Sequence, residues 1–234
     1  MPEDLSIFER LITGMAPVIS WLPVNKIVKV LKKTFLELLI KYTDNKNLVN
    51  ELWNEIETNY SSKKRHYHTL QHLESLLIQC IKIKREIRNW DAILFTLYYH
   101  DVVYNPLKSN NEEKSAELAE IRMKKISVPD DTIKLCKRQI LATKSHSKSP
   151  DSDTNYFTDT DLSVLGQNWK KYSEYYKNVR KEYRIYPDLI YNPGRKKVLT
   201  HFLEMDRIFK TDIFYKTFEA QAKQNIQQEM ELLS

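Results

Sequence analysis

The sequence predicts an all-α fold, and three observations carry that expectation. Glycine is nearly absent, with 3 in 234 residues, and proline is sparse, with 8. Such a composition disfavours glycine-looped nucleotide folds and all-β sandwiches. Lys, Glu, Leu and Ile also recur at helical spacing. The predicted helices span 3–14, 24–42, 46–59, 69–88, 90–101, 111–126, 130–143, 167–184, 195–210 and 212–232. Asn111 before Glu112-Glu113 and Asp130 before Thr132-Ile133 read as N-terminal caps. Asn105-Pro106 and Tyr191-Asn192-Pro193-Gly194 read as breaks, and the polar stretch 144–153 reads as a loop.

The length suits one large domain over residues 41–234 with an N-terminal helical extension over 1–40. The net charge is +6, from 37 basic and 31 acidic residues. This mild surplus, read as spread over the surface, suits an anionic ligand without singling out nucleic acid. Cys80 and Cys136 fall in predicted helices and read as reduced core thiols. Residues 11–31 are apolar in patches but interrupted by Pro17, Pro23, Asn25 and Lys26. No basic leader precedes a clean apolar core, which argues against a signal peptide. No run of ~20 apolar residues is long enough to span a bilayer. The expected location is cytoplasmic. Residues 1–40 are a candidate contact for a second copy, a partner or an interface, with docking on the domain's own core as the favoured reading.

The chemistry gathers around His100-Asp101, which ends the apolar run from Ala92 to Tyr99. Burying a carboxylate beside an imidazole is costly unless both are paired, and a metal ion removes that cost. His68 and His72 are four apart and share a helix face, and Leu73, Leu76 and Leu77 continue an inward stripe. Asp161 opens the apolar stretch Leu162, Val164 and Leu165. Imidazole with carboxylate suits Mn, Fe, Co, Ni or Zn, and such an ion can activate water and neutralise phosphoryl oxygens. Each residue also has a plainer reading. His100-Asp101 can be a helix-end pair, His72 a core histidine and Asp161 a helix cap, with Asp159 competing for that role. Glu112 can be a general base or a first-turn Glu favoured by the helix dipole. Arg65 and Lys144 can pair with phosphate oxygens. His146 can face substrate or lie in a loop. Arg195 can contact an anion or pair with Glu182. His66 reads as a surface histidine and His201 as a core histidine.

The ordered segments resemble a known family. These are Arg65-His66-Tyr67-His68-Thr69-Leu70-Gln71-His72, His100-Asp101-Val102-Val103-Tyr104, Asn111-Glu112-Glu113-Lys114-Ser115-Ala116 and Phe157-Thr158-Asp159-Thr160-Asp161-Leu162. Tyr191-Asn192-Pro193-Gly194-Arg195 fits as well. Together they resemble the HD-domain superfamily of metal-dependent phosphohydrolases, over roughly residues 45–215. The resemblance implies a helical HD-domain bundle with one divalent ion, or two in some relatives. It implies His72, His100, Asp101 and Asp161 as ligands. His72 is preferred to His68 because relatives place the ligand histidine four residues before a core aliphatic, here Leu76, although the two can exchange roles. The implied activity is hydrolysis of a small phosphate ester such as a nucleotide, with Asp101 or Glu112 taking the water's proton. His68, Arg65, His146, Lys144 and Arg195 are the expected substrate contacts. The alternatives are a catalytically silent nucleotide and metal sensor, or an interaction module.

Overall fold

The structure, a computed structural model, describes residues 24–233. The predicted helix 3–14 lies outside the described residues. Ten α-helices and no strands are found among the described residues, so the fold is all-α. They are α1 (Val24–Leu39), α2 (Lys46–Tyr60), α3 (Leu70–Lys82), α4 (Trp90–Tyr99) and α5 (Asn111–Lys125). Then follow α6 (Asp130–Ala142), α7 (Ser152–Leu162), α8 (Trp169–Glu182), α9 (Asp188–Glu204) and α10 (Asp212–Leu232).

Helix α4 is the axis of the first core. Every residue from Ala92 to Tyr99 is buried, as expected for a helix apolar on all sides. Asn89 caps it by accepting a hydrogen bond from the Ala92 N–H. Helix α1 packs against it through Leu31, Phe35, Leu38 and Leu39. Phe35 meets Tyr98 edge-on with ring centroids 4.7 Å apart, and the Tyr98 hydroxyl donates to the Leu31 carbonyl. Helix α1 thus contributes Leu31, Phe35, Leu38 and Leu39 to the same core as α4.

A second core joins Leu165, Tyr172, Leu199, Phe202, Phe209, Phe214 and Ile226 from the C-terminal elements. Helix α7 bridges the two cores, with Phe157 in the first and Leu162 in the second. The second core closes tightly at Gly166, in the 3-10 turn Ser163–Gly166. A Cβ there would stand 2.4 Å from the Phe218 Cβ and 2.6 Å from its carbonyl oxygen. Overpacking of this kind costs about 1–3 kcal/mol. Gly166→Ala is therefore expected to lower the thermal midpoint by several degrees in a circular-dichroism melt. An unchanged midpoint would show that α10 can retreat without loss.

Three local expectations need correction. Helix α7 was not predicted. Its inward face is polar, with Asp153, Thr154, Thr158, Asp159 and Thr160 all buried, so no apolar period announces it. The expected break at residues 191–194 is instead the interior of α9, which contains Pro193. Pro193 and Gly194 lie on the exposed side, where water can satisfy the carbonyl that a proline cannot bond. Neither Asn111 nor Asp130 caps its helix with a side chain. Both are first-turn residues, and Asn111 bonds Asn105 instead.

Candidate metal centre

The site forms where α3, the end of α4, the end of α7 and the loop after α6 meet between the cores. His72 lies on the inward stripe of α3 with Leu73, Leu76 and Leu77. His100 is the first residue beyond α4 and is buried. Its Nδ1 stands 3.0 Å from the Leu97 carbonyl, which only accepts, so Nδ1 carries the proton there. The Nε2 lone pair of the neutral ring then faces His72, whose Nε2 is 3.2 Å away. Asp161 places Oδ1 at 3.3 Å from His72 Nε2 and 3.9 Å from His100 Nε2. Asp101 places Oδ2 at 3.1 Å from His100 Nε2.

These separations are those of donors around a single ion. With bonds of about 2.1 Å, neighbouring donors stand about 3.0 Å apart in an octahedron and about 3.4 Å apart in a tetrahedron. Among the described residues, His72, His100 and Asp161 form a group whose donor atoms lie within 4.8 Å of one another, and Asp101 adjoins it at His100. The donor set, imidazole nitrogen with carboxylate oxygen, suits a first-row transition ion or zinc.

Electrostatics favours positive charge at this point. Burial opposes the charged form of His100, but Asp101 and then Asp161 outweigh it and push the ring up to about 9. Burial dominates at His72 and lowers it. Burial also opposes ionisation of both aspartates. At Asp101 it is overcome by His100 and His68, and at Asp161 by hydrogen bonds from His146 and His72, so both sit below the usual carboxylate range. Two half-buried carboxylates this close together remain ionised beside a cation, whether a proton shared among the imidazoles or a metal.

The surrounding residues hold these donors in place. His146 Nε2 lies 3.0 Å from Asp161 Oδ2, so it fixes one carboxylate oxygen while the other faces His72. His146 reaches it from left-handed backbone, with φ 52°, a conformation that a non-glycine residue adopts at a cost. Arg65 donates to the carbonyls of His68, Asp101 and Val102. Its guanidinium lies over the rings of Tyr60 and Tyr104. This clamp fixes the turn that carries Asp101 and engages both Nη atoms of Arg65.

Sequence reasoning did not see Glu182 as the anchor of His68. Its Oε1 accepts the backbone N–H groups of His66, Tyr67 and His68. Its Oε2 lies 2.7 Å from His68 Nδ1 and accepts from the Tyr104 hydroxyl. His68 Nε2 is thereby turned toward Asp101, 3.7 Å from Oδ2. A signal was present in the sequence: Tyr172, Val179 and Glu182 share the buried face of α8, so a carboxylate continued an inward stripe. Burial would raise the Glu182 carboxyl, but the His68 hydrogen bond and charge outweigh it and hold it at about 2, against an ordinary 4.5. A depressed carboxyl stabilises the fold above its unfolded value, and that contribution is lost as pH falls from about 4.5 toward 2. Acid unfolding of wild type should therefore be steeper across that window than that of Glu182→Gln. Coincident slopes in an acid titration of circular dichroism would contradict this account of the anchor.

The other expected contacts lie elsewhere. Arg195 is buried against Glu229, not Glu182. Lys144 is exposed and paired with Glu113 and the Ser109 carbonyl. Glu112 sits half-buried in the first turn of α5, with no ion pair or side-chain hydrogen bond among the described residues. Asp159 does not cap its own helix. It accepts the N–H groups of Lys210 and Thr211 at the start of α10. His201 is exposed rather than in the core. No family model, curated protein or solved structure matches this chain.

Proposed function

We propose that this protein is a metal-dependent phosphohydrolase acting on a small phosphate ester, a nucleotide being the first class to test. His72, His100, Asp101 and Asp161 are assigned to hold its divalent ion. One observation carries the reading: ligand atoms of His72, His100 and Asp161 gather within 4.8 Å of one another, and an Asp101 oxygen adjoins them 3.1 Å from His100 Nε2. When bound, such an ion neutralises phosphoryl oxygens and lowers the pKa of water toward neutrality. The ordered sequence segments that resemble the HD-domain superfamily support the same assignment.

The protein's own residues supply the rest. Glu182 fixes the His68 ring through Nδ1, so Nε2 is the atom that can give or take a proton beside Asp101. Asp101 is the assigned acceptor for the water's proton, since its carboxylate stands between His100 and His68. Glu112, in the first turn of α5, is the alternative acceptor. With Arg65, Lys144 and Arg195 engaged elsewhere, phosphate charge falls to the ion and to His68 and His146.

Phosphate release from a panel of nucleoside mono-, di- and cyclic phosphates tests this. Turnover of at least one ester is expected with added Mn²⁺, abolished by chelation and restored by readdition. A metal-loaded protein that releases phosphate from none of them would move the weight to a silent sensor.

A further inference from the structure

We propose that the turn between α8 and α9, with the exposed face of α9, docks on a membrane surface rich in anionic lipid headgroups. The first observation is apolar exposure. Ile185, Leu189 and Ile190 are 62%, 87% and 59% exposed. Leu189, Pro193, Lys196 and Lys197 follow one another at i, i+4, i+7 and i+8, so they share one helix face. Leu233 at the end of α10 borders the same surface beside Asp188, Leu189 and Lys196, and its neighbour Leu232 is exposed.

The second observation is charge. Residues 170–197 hold nine basic and three acidic side chains, a surplus of six that equals the surplus of the whole chain. The expectation that the charge is spread evenly is therefore not met. Of the three acids, Glu182 lies beneath His68, Asp188 pairs with Arg180 and Glu174 is exposed, while Arg195 is buried with Glu229. Lys177, Lys181, Arg184 and Lys197 remain on the outside, with Lys196 half-buried beside Leu189.

Shape and chemistry select the occupant. Exposed aliphatic side chains on a cation-rich segment suit insertion among anionic headgroups, where hydrocarbon and charge contribute together. A nucleic-acid surface would offer aromatic faces for stacking. Here Tyr183 and Tyr191 are half-buried and face one another, and Arg180 covers Tyr191. The docking surface is independent of the metal centre, and the two proposals fail separately.

Co-sedimentation of the full-length chain with vesicles is the test. Vesicles of phosphatidylcholine with about one third phosphatidylglycerol are compared with pure phosphatidylcholine. Binding to the anionic vesicles is expected to be at least tenfold tighter and to weaken with salt. Each cation near such a surface contributes about fivefold, so Lys196→Glu/Lys197→Glu should weaken binding more than tenfold. Leu189→Ser/Ile190→Ser should weaken it as well. Leu189, Ile190 and Lys197 are exposed and Lys196 is half-buried outside both cores, so both variants should keep the wild-type thermal midpoint and metal content. Failure to sediment with anionic vesicles would overturn the proposal. So would binding that ignores the Leu189→Ser/Ile190→Ser change but matches that to a soluble polyanion, which would indicate an acidic macromolecular partner instead.

Discussion

Asp161→Ala is expected to lose its bound ion and to lower phosphate-ester turnover by more than about a hundredfold. Removing groups that merely orient a metal ligand already costs about 10–100-fold in affinity or activity, and Asp161 is assigned as a ligand itself. One of its oxygens faces His72 and the other is held by His146. Truncation therefore removes a donor, a negative charge and the partner of His146 together. Asp161→Asn keeps the shape and loses the charge, and it should fall between the two. Elemental analysis beside phosphate release separates the effects: the ion should be lost in proportion to turnover. Full metal content with full activity in Asp161→Ala would remove this residue from the site.

Glu229→Ala is expected to be the most destabilising single truncation outside the apolar core. Arg195 Nε and Nη2 donate to the two Glu229 oxygens at 2.8 and 3.0 Å, and the Tyr172 hydroxyl donates to the same carboxylate. Both charged side chains are buried. Breaking a buried pair by removing one partner costs about 3–5 kcal/mol, because the other charge is left uncompensated. For a domain of this size that corresponds to a fall of roughly 6–20 °C in the thermal midpoint. The double replacement Arg195→Met/Glu229→Leu should recover most of the loss, since apolar substitutes for a buried pair are often close to neutral. A midpoint in Glu229→Ala within a degree or two of wild type would show that water reaches the guanidinium. The pair also bears on the site. Arg195 Nη1 lies 3.4 Å from the Tyr175 hydroxyl, and Tyr175 packs edge-on against Tyr67, which flanks His68 and His72.

What could be read from the sequence follows from where the information sits. Helices with an apolar stripe or a fully apolar girth, such as α3 and α4, announce themselves by period. Helix α7 does not, because its buried face is built from threonines that bond carbonyls of the same helix and from aspartates whose partners lie elsewhere in the chain, as Asp159 and the start of α10 illustrate. The sequence places the start of α9 at residue 195, because Pro193 normally breaks a helix, and only the solvent-facing placement of that residue makes it tolerable.

The candidate site divides in the same way. His72, His100 and Asp101 were legible because each abuts an apolar segment that must be buried. The long cations were not. Arg65, Lys144 and Arg195 take partners 35 or 36 residues away or, for Arg195, 34, and local sequence does not specify such pairings. Glu182 anchors three backbone N–H groups more than a hundred positions distant, and only its place on an inward stripe hints at it.

The central claim is that His72, His100, Asp101 and Asp161 share one ion. Crystals grown with Mn²⁺ and measured near its absorption edge test it most directly. The account predicts one anomalous peak about 2.1 Å from the Nε2 atoms of His72 and His100, with oxygens of Asp101 and Asp161 completing the shell. A difference map without that peak, or with the ion seated away from these four side chains, would contradict it and leave His100-Asp101 as a structural pair at the end of α4.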